Sequence, residues 1–206
     1  MKRVKTWSSF GLAAILFVGA VESVLAQTTE PILRVEVGTH NACIFSIAMD
    51  PANRILVTGS EDKTARVWDI SDGVRLLRIL RSPVGEGEQG HIFAVALSPD
   101  GRTVACGGRT GAPKQGDACV YLFDRATGAL TRRLGGLPGW VQHLVFTPDG
   151  RFLAAVMGER GGDVAWAGMS IFRLPDYALV AEDRDYGNYV RWVESAPSGS
   201  QLATTC

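Results

Sequence analysis

Residues 94–107 read AVALSPDGRTVACG. Apolar residues flank Pro99-Asp100-Gly101 on both sides. That tripeptide is turn chemistry, because proline fixes φ and glycine accepts φ > 0 without steric cost. The stretch predicts a strand, a tight turn and a second strand. Three other stretches repeat it: SIAMDPANRILVTG at 46–59, HLVFTPDGRFLAAV at 143–156 and WVESAPSGSQLATT at 192–205. Their prolines, Pro51, Pro99, Pro148 and Pro197, are 48, 49 and 49 residues apart. A fixed period of this length marks an array of structural repeats.

Each period holds two more strand-like runs. The third strands are TARVWDI from Thr64, ACVYLFD from Ala118 and MSIFRL from Met169. The fourth are VRLLRIL from Val74, ALTRRLG from Ala129 and ALVAEDR from Ala178. Ser71-Asp72-Gly73 and Ala126-Thr127-Gly128 are short turns between them. Apolar residues recur four and seven places before each proline: Ile47 and Ile44, Val95 and Ile92, Leu144 and Val141, Val193 and Val190. Four short strands per unit predict an all-β chain of β-propeller blades. The expected units are 38–80, 87–134, 136–183 and a partial one at 186–206. The run PILRVEV at 31–37 reads as a closing strand for a ring. About three and a half blades predict an incomplete ring, and so the N-terminal part of a longer protein. Open edges expose unpaired backbone groups, which invites self-association.

The first unit resembles the WD-repeat family. His40 follows Gly38-Thr39 and precedes Pro51 by 11 residues, Thr58 is in the second strand, Asp62 in the next turn and Trp68 in the third strand. The resemblance implies a structural network of hydrogen bonds linking Trp68, Thr58, His40 and Asp62. Asp62 is then a structural acid, satisfied by its partners without chemistry, and Asp69 is expected to hold a turn. The second unit departs, with Glu88, Cys106 and Phe123 at the His, Thr and Trp positions and only Asp117 fitting. In the third, Leu137 and Phe172 take the outer positions. The network is expected in the first unit alone. The wider sequence also resembles bacterial exported WD-repeat proteins, some of which carry a caspase-like peptidase domain.

Residues 1–26 read as a signal peptide. Lys2, Arg3 and Lys5 give a basic start, Gly11 to Val21 an apolar run, and Val24-Leu25-Ala26 a cleavage site before Gln27. Eleven apolar residues rise only ~16 Å as helix, about half a bilayer core, so no membrane association is expected after cleavage. The destination is exported, periplasmic or extracellular. The whole chain balances 21 Lys and Arg against 21 Asp and Glu, and removing the leader takes it to −2. No basic face argues for nucleic acid. Cys43, Cys106, Cys119 and Cys206 lack metal-ligand spacing, and no metal or cofactor is expected. Cys106 and Cys119 share side-chain parity on neighbouring strands. A disulfide and two buried thiols are both open there, the second being favoured because cross-strand disulfide geometry is demanding.

Alternating strand direction puts the long loops on one face: 81–91, 108–118 and 158–168. Loops on a rigid scaffold carry binding. The candidate binding face comprises Glu86, Glu88, His91, Arg109, Lys114, Glu159, Arg160 and Trp166. No catalytic constellation is found, since the chain lacks a Gly-x-Ser-x-Gly elbow and a strand–Gly-loop–helix phosphate site. The expected function is a non-catalytic scaffold binding a protein partner. Alternatives are the sensor or regulatory portion of an exported enzyme such as a caspase-like peptidase, and a propeller enzyme with a central-channel site.

Overall fold

The proline turns set the register of every unit. In the computed structural model, which describes residues 38–83, 85, 87–110, 118–158, 167–186 and 190–205, the second residue after each proline has φ > 0: Asn53, Gly101, Gly150 and Gly199. The turn acids reinforce this. Asp100 accepts from the Ser98 hydroxyl at 2.6 Å and the Arg102 amide at 3.0 Å, and Asp149 does the same from Thr147 and Arg151. The expected leader at 1–26, the expected closing strand at 31–37, Asp117 and Cys206 lie outside the described residues. So do Glu86, Lys114, Glu159, Arg160 and Trp166.

Among the described residues all regular structure is β. The first blade is β1 (Ile44–Met49), β2 (Ile55–Ser60), β3 (Thr64–Asp69) and β4 (Arg75–Arg81). The second is β5 (Ile92–Leu97), β6 (Thr103–Gly108), β7 (Ala118–Asp124) and β8 (Leu130–Leu137). The third is β9 (Val141–Phe146), β10 (Phe152–Gly158), β11 (Ala167–Arg173) and β12 (Ala178–Asp183). A hairpin of β13 (Trp192–Ser195) and β14 (Leu202–Thr205) follows. Each sheet is antiparallel with strands in chain order, and among the described residues the sheets do not join into a ring. β8 runs to Leu137, which is buried, so the second blade extends past the expected bound at residue 134.

The core lies between blades. One cluster joins Val57, Ala65, Val67 and Leu80 of the first blade to Ile92, Val95, Cys106 and Phe123 of the second. Another joins Ala105, Val120 and Leu122 of the second to Val141, Leu144 and Phe172 of the third. A third joins Ala154 and Val156 to Val190 and Val193. Strand parity explains this, because each sheet gives one set of side chains to each neighbour.

The apolar spacing of three before each proline departs from strict alternation. A β-bulge restores the phase. The register skips Phe45 between Ile44 and Ser46, Phe93 between Ile92 and Ala94, and Gln142 between Val141 and His143. In the second and third blades the extra residue lets Ile92 with Val95, and Val141 with Leu144, face the preceding blade, and it bends the strand.

Close approach at the blade interface requires a missing side chain on the partner. A Cβ at Gly59 would sit 2.8 Å from side-chain atoms of Ile92 and Val95, and one at Gly107 would sit 2.7 Å from Val141. Gly107→Ala is therefore expected to lower stability by about 1–3 kcal/mol through overpacking, read as a reduced urea midpoint at unchanged m-value. An unchanged midpoint would show that the blades part without cost at this contact.

Candidate functional site

Two constellations stand out, and they have different roles. The first is a chain of hydrogen bonds inside the first blade. Trp68 Nε1–H donates to Thr58 Oγ1 at 2.9 Å, and Thr58 Oγ1 lies 2.7 Å from His40 Nε2. His40 Nδ1 lies 2.8 Å from Asp62 Oδ2. The chain is satisfied throughout with the imidazole proton on Nδ1: the threonine hydroxyl donates to Nε2, and Nδ1–H donates to the carboxylate. Asp62 Oδ1 also accepts from the Thr64 hydroxyl at 2.6 Å and the Thr64 amide at 3.0 Å. Burial pushes the Asp62 carboxyl up, but the bonds from Thr64 and His40 outweigh it and the net position is below the ordinary value.

Nothing in this arrangement presents a reacting atom to solvent, because the His40 and Asp62 side chains are almost fully enclosed. Asp69, on the other side of Trp68, holds its turn. Its Oδ1 accepts from the Ser71 amide at 3.1 Å and hydroxyl at 2.6 Å, and its Oδ2 from Arg75 at 2.9 Å. The equivalent positions of the other blades are Cys106 with Phe123 and Ala155 with Phe172, all buried among apolar neighbours.

The second constellation is built by the bulges. A bulge re-aims the side chain of its extra residue, and Phe45, Phe93 and Gln142 all line one cleft of about 470 Å3. Arg191, six residues before Pro197 as those three are before their own prolines, lines it too. Trp140, Trp192, Arg109 and Glu61 complete the wall. Phe45 meets Phe93 edge to face at 5.1 Å. The Arg109 guanidinium lies 4.0 Å from the Trp140 ring centroid and 5.8 Å from that of Phe93, within cation–π range. Trp192 stacks on His143 at 3.7 Å and remains half exposed. Burial holds the His143 imidazole below its ordinary value, so at neutral pH Trp192 rests on an uncharged ring.

Three candidate residues of the loop face fall within the described chain, and the structure brings them together. Arg109 pairs with Glu88 and takes a backbone bond from its own amide to the His91 carbonyl at 3.0 Å, while the His91 ring meets Phe93 at 6.2 Å. Of the three, only Arg109 lines the cleft. The aromatic members were missed by sequence reasoning, which weighed long loops and passed over the residue six places before each proline. The odd apolar spacing was the available signal, since it implies a bulge at that place.

The disulfide alternative for Cys106 and Cys119 is corrected. Both thiols are free and buried. Cys106 stands opposite Tyr121 in the β6–β7 register, which leaves Cys119 on a diagonal. Directly opposed positions approach far more closely than diagonal ones. Burial pushes the Cys106 thiol strongly upward, which keeps it protonated and inert. Cys43 is also free, and exposed. Among the described residues no cluster of three His, Cys, Asp or Glu side chains has metal-binding geometry.

Comparison with known proteins agrees with this architecture. The family described as "WD domain, G-beta repeat" matches residues 32–69 and 81–124. The chain is similar to Protein hir1 of Schizosaccharomyces pombe, 27% identical over 144 residues, covering 68% of this chain and 15% of that protein. It is 26% identical to eukaryotic translation initiation factor 3 subunit I of Candida albicans, over 66% of this chain and 35% of that one. It is 32% identical to the small ribosomal subunit protein RACK1y of Oryza sativa subsp. japonica, over 52% of this chain and 27% of that one. WD repeats are thus matched over 82 of the 206 residues, within the first two blades, and the four-stranded antiparallel sheets accord with that family's blades. The chain spans about a third or less of the length of these relatives.

The network generates two expectations. Thr58→Val keeps the shape and strands His40 Nε2 and Trp68 Nε1, so it should cost about 1–3 kcal/mol in chemical denaturation. A midpoint equal to wild type would remove the network from the stability of the blade. Because the Asp62 carboxyl is lowered in the folded state, the stability it contributes is complete above the ordinary carboxylate value. That contribution is lost as pH falls through the lowered one. Asp62→Asn should flatten the acid limb of the stability–pH curve, as measured by urea titrations at stepped pH. A limb of unchanged slope would assign it to other carboxylates.

Proposed function

We propose that the chain is a non-catalytic scaffold that holds a protein partner at the bulge-lined cleft. The observation that carries this reading is the convergence of one repeat position, represented by Phe45, Phe93, Gln142 and Arg191, on a single concave surface. The surface combines aromatic rings with guanidinium groups. Trp, Tyr and Arg side chains dominate the energetics of protein interfaces, and they do so where a pocket excludes water around them. The rigid sheets beneath limit the entropy lost on binding. Two of the relatives are, by name, subunits of larger assemblies, a translation initiation factor and a small ribosomal subunit. The proposal extends to place. The basic, apolar and small-residue order of residues 1–26 supports export, so the partner is sought outside the cytoplasm.

Trp140→Ala and Trp192→Ala should each weaken capture of a bound partner by about 30-fold, as a hot-spot loss of about 2 kcal/mol requires. Their melting temperatures should stay near wild type. Asp72→Ala, in an exposed turn at the opposite ends of the strands, is the control. The measurement is quantitative affinity capture from an extracytoplasmic extract followed by titration of the captured protein. Retention of the partner by both tryptophan variants, at wild-type affinity, would sink the assignment of the cleft.

A further inference from the structure

The cleft holds a charged group in an aromatic setting. The Arg109 guanidinium lies 4.0 Å from the Trp140 ring centroid and 5.8 Å from that of Phe93. Ring faces attract a cation, and by displacing water around it they strengthen the charge-assisted bonds it makes. The backbone beneath is fixed without the side chain. The Arg109 amide donates to the His91 carbonyl at 3.0 Å, and the Gly90 amide donates to the Arg109 carbonyl at 2.7 Å. These residues belong to the second and third blades, each of which has a neighbour packed on both faces.

Within the chain, the acid that pairs with Arg109 is poorly placed to keep it. The Glu88 side chain is 64% exposed, against 27% for Arg109, and Glu88 does not line the cleft. An exposed carboxylate is screened by solvent and loses side-chain entropy on pairing, so its hold on a guanidinium is weak. Arg191 brings a second guanidinium to the cleft wall, where Glu61 is the one carboxylate among the lining residues. The wall is therefore biased toward positive charge, although the whole chain balances 21 bases with 21 acids. Its volume of about 470 Å3 lies within the range of small-ligand sites, so it admits a few side chains of a short segment and not a folded surface.

We infer that the cleft recognises an acidic peptide segment of the protein partner, a carboxylate of which displaces Glu88 from Arg109 while an apolar neighbour packs on the aromatic wall. The inference rests on the binding role proposed above and names the chemistry of what is bound. Arg109 sets the specificity, and Glu88 competes for it. One ion pair exchanges for another, so the guanidinium is never left uncompensated, and Glu88 returns to water. The planar guanidinium keeps its ring contacts and offers a fork of donors to the incoming carboxylate, which an ammonium group does not reproduce.

The experiment titrates the full chain by fluorescence polarisation with three labelled synthetic peptide pools. The pools differ only at one fixed central position, which carries glutamate, glutamine or lysine beside a phenylalanine in a random background. The glutamate pool should bind at least about tenfold more tightly than the glutamine pool, a difference of roughly 1.4 kcal/mol. Arg109→Gln should erase that difference, and Arg109→Lys should not restore it. Glu88→Gln removes the competitor and should tighten the glutamate pool about threefold, as loss of a weak exposed pair allows, with the glutamine pool unmoved. Melting of these variants should match wild type, because the main-chain bonds of Arg109 do not involve its side chain. Trp140→Ala tests the cleft itself and should weaken every pool that binds. If it does so while the glutamate and glutamine pools bind alike, the cleft stands and the acidic partner falls. If Trp140→Ala binds the glutamate pool at wild-type affinity, the cleft reading falls and takes the inference with it. Preference for the lysine pool, a glutamate preference that survives Arg109→Gln, or binding of no pool would each overturn the inference.

Discussion

The contact of two branched apolar residues from one blade with the small residues of the blade before it is the constraint on which the structure depends. It is made by Ile92 and Val95 on Gly59 and by Val141 on Gly107. A single blade is a four-stranded sheet with two apolar faces and cannot bury both by itself. Stacking encloses them, so each core cluster draws on two neighbouring units. The bulge is the local device that allows it. Residues three apart on a regular strand face opposite sides. With Phe45, Phe93 or Gln142 inserted as an extra residue, they face the same side. Packing and site geometry then share one cause, since the residue displaced by the bulge is the one that reaches the cleft.

The polar network shows a second way to hold a blade. The second and third blades are packed on both faces, and at the network positions they carry Cys106 with Phe123 and Ala155 with Phe172. The first blade keeps Trp68, Thr58, His40 and Asp62. These residues sit on the side of the sheet where Ile44 and Ile47 are open to solvent. Their bonds tie the second strand, the third strand and the segment before β1 to one another within the blade. Such bonds need no neighbouring blade. A net hydrogen bond contributes about 1 kcal/mol, whereas a buried aliphatic side chain contributes about 1.5–3 kcal/mol. The network therefore supplements blade packing and does not replace it.

Sequence made the strands legible because turn chemistry and apolar alternation are local properties. Pro51, Pro99, Pro148 and Pro197 fixed the repeat, and β2, β6 and β10 follow their turns in the expected phase. The network residues were legible because a short-range pattern carries all four. The cleft was not, because Phe45, Phe93, Trp140 and Trp192 lie far apart in sequence, and an aromatic at the start of a strand looks like core. Only the stacking of units brings them to one surface. Cys106 and Cys119 were ambiguous for a related reason. Parity put them on the same face, but the choice between opposed and diagonal positions depends on strand register, which parity leaves open.

Separate placement of rigid and exposed groups gives the binding proposal its physical sense. Arg109 is held by the Glu88 carboxylate and by backbone bonds to the segment before β5, while its guanidinium lies against Trp140 and Phe93. Gln142 is tied by its side-chain amide to the Gly158 carbonyl at 2.9 Å. Trp192 rests on His143, which burial keeps uncharged. Each of these side chains has lost freedom before any partner arrives. Immobilising a long side chain costs about 0.5–1.5 kcal/mol at an interface, so groups fixed in advance retain more of their contact energy for binding. The support comes from the strands and their neighbours, which stack independently of the cleft. The surface can therefore change its aromatic and charged residues, one repeat at a time, while the blades that carry it stay packed.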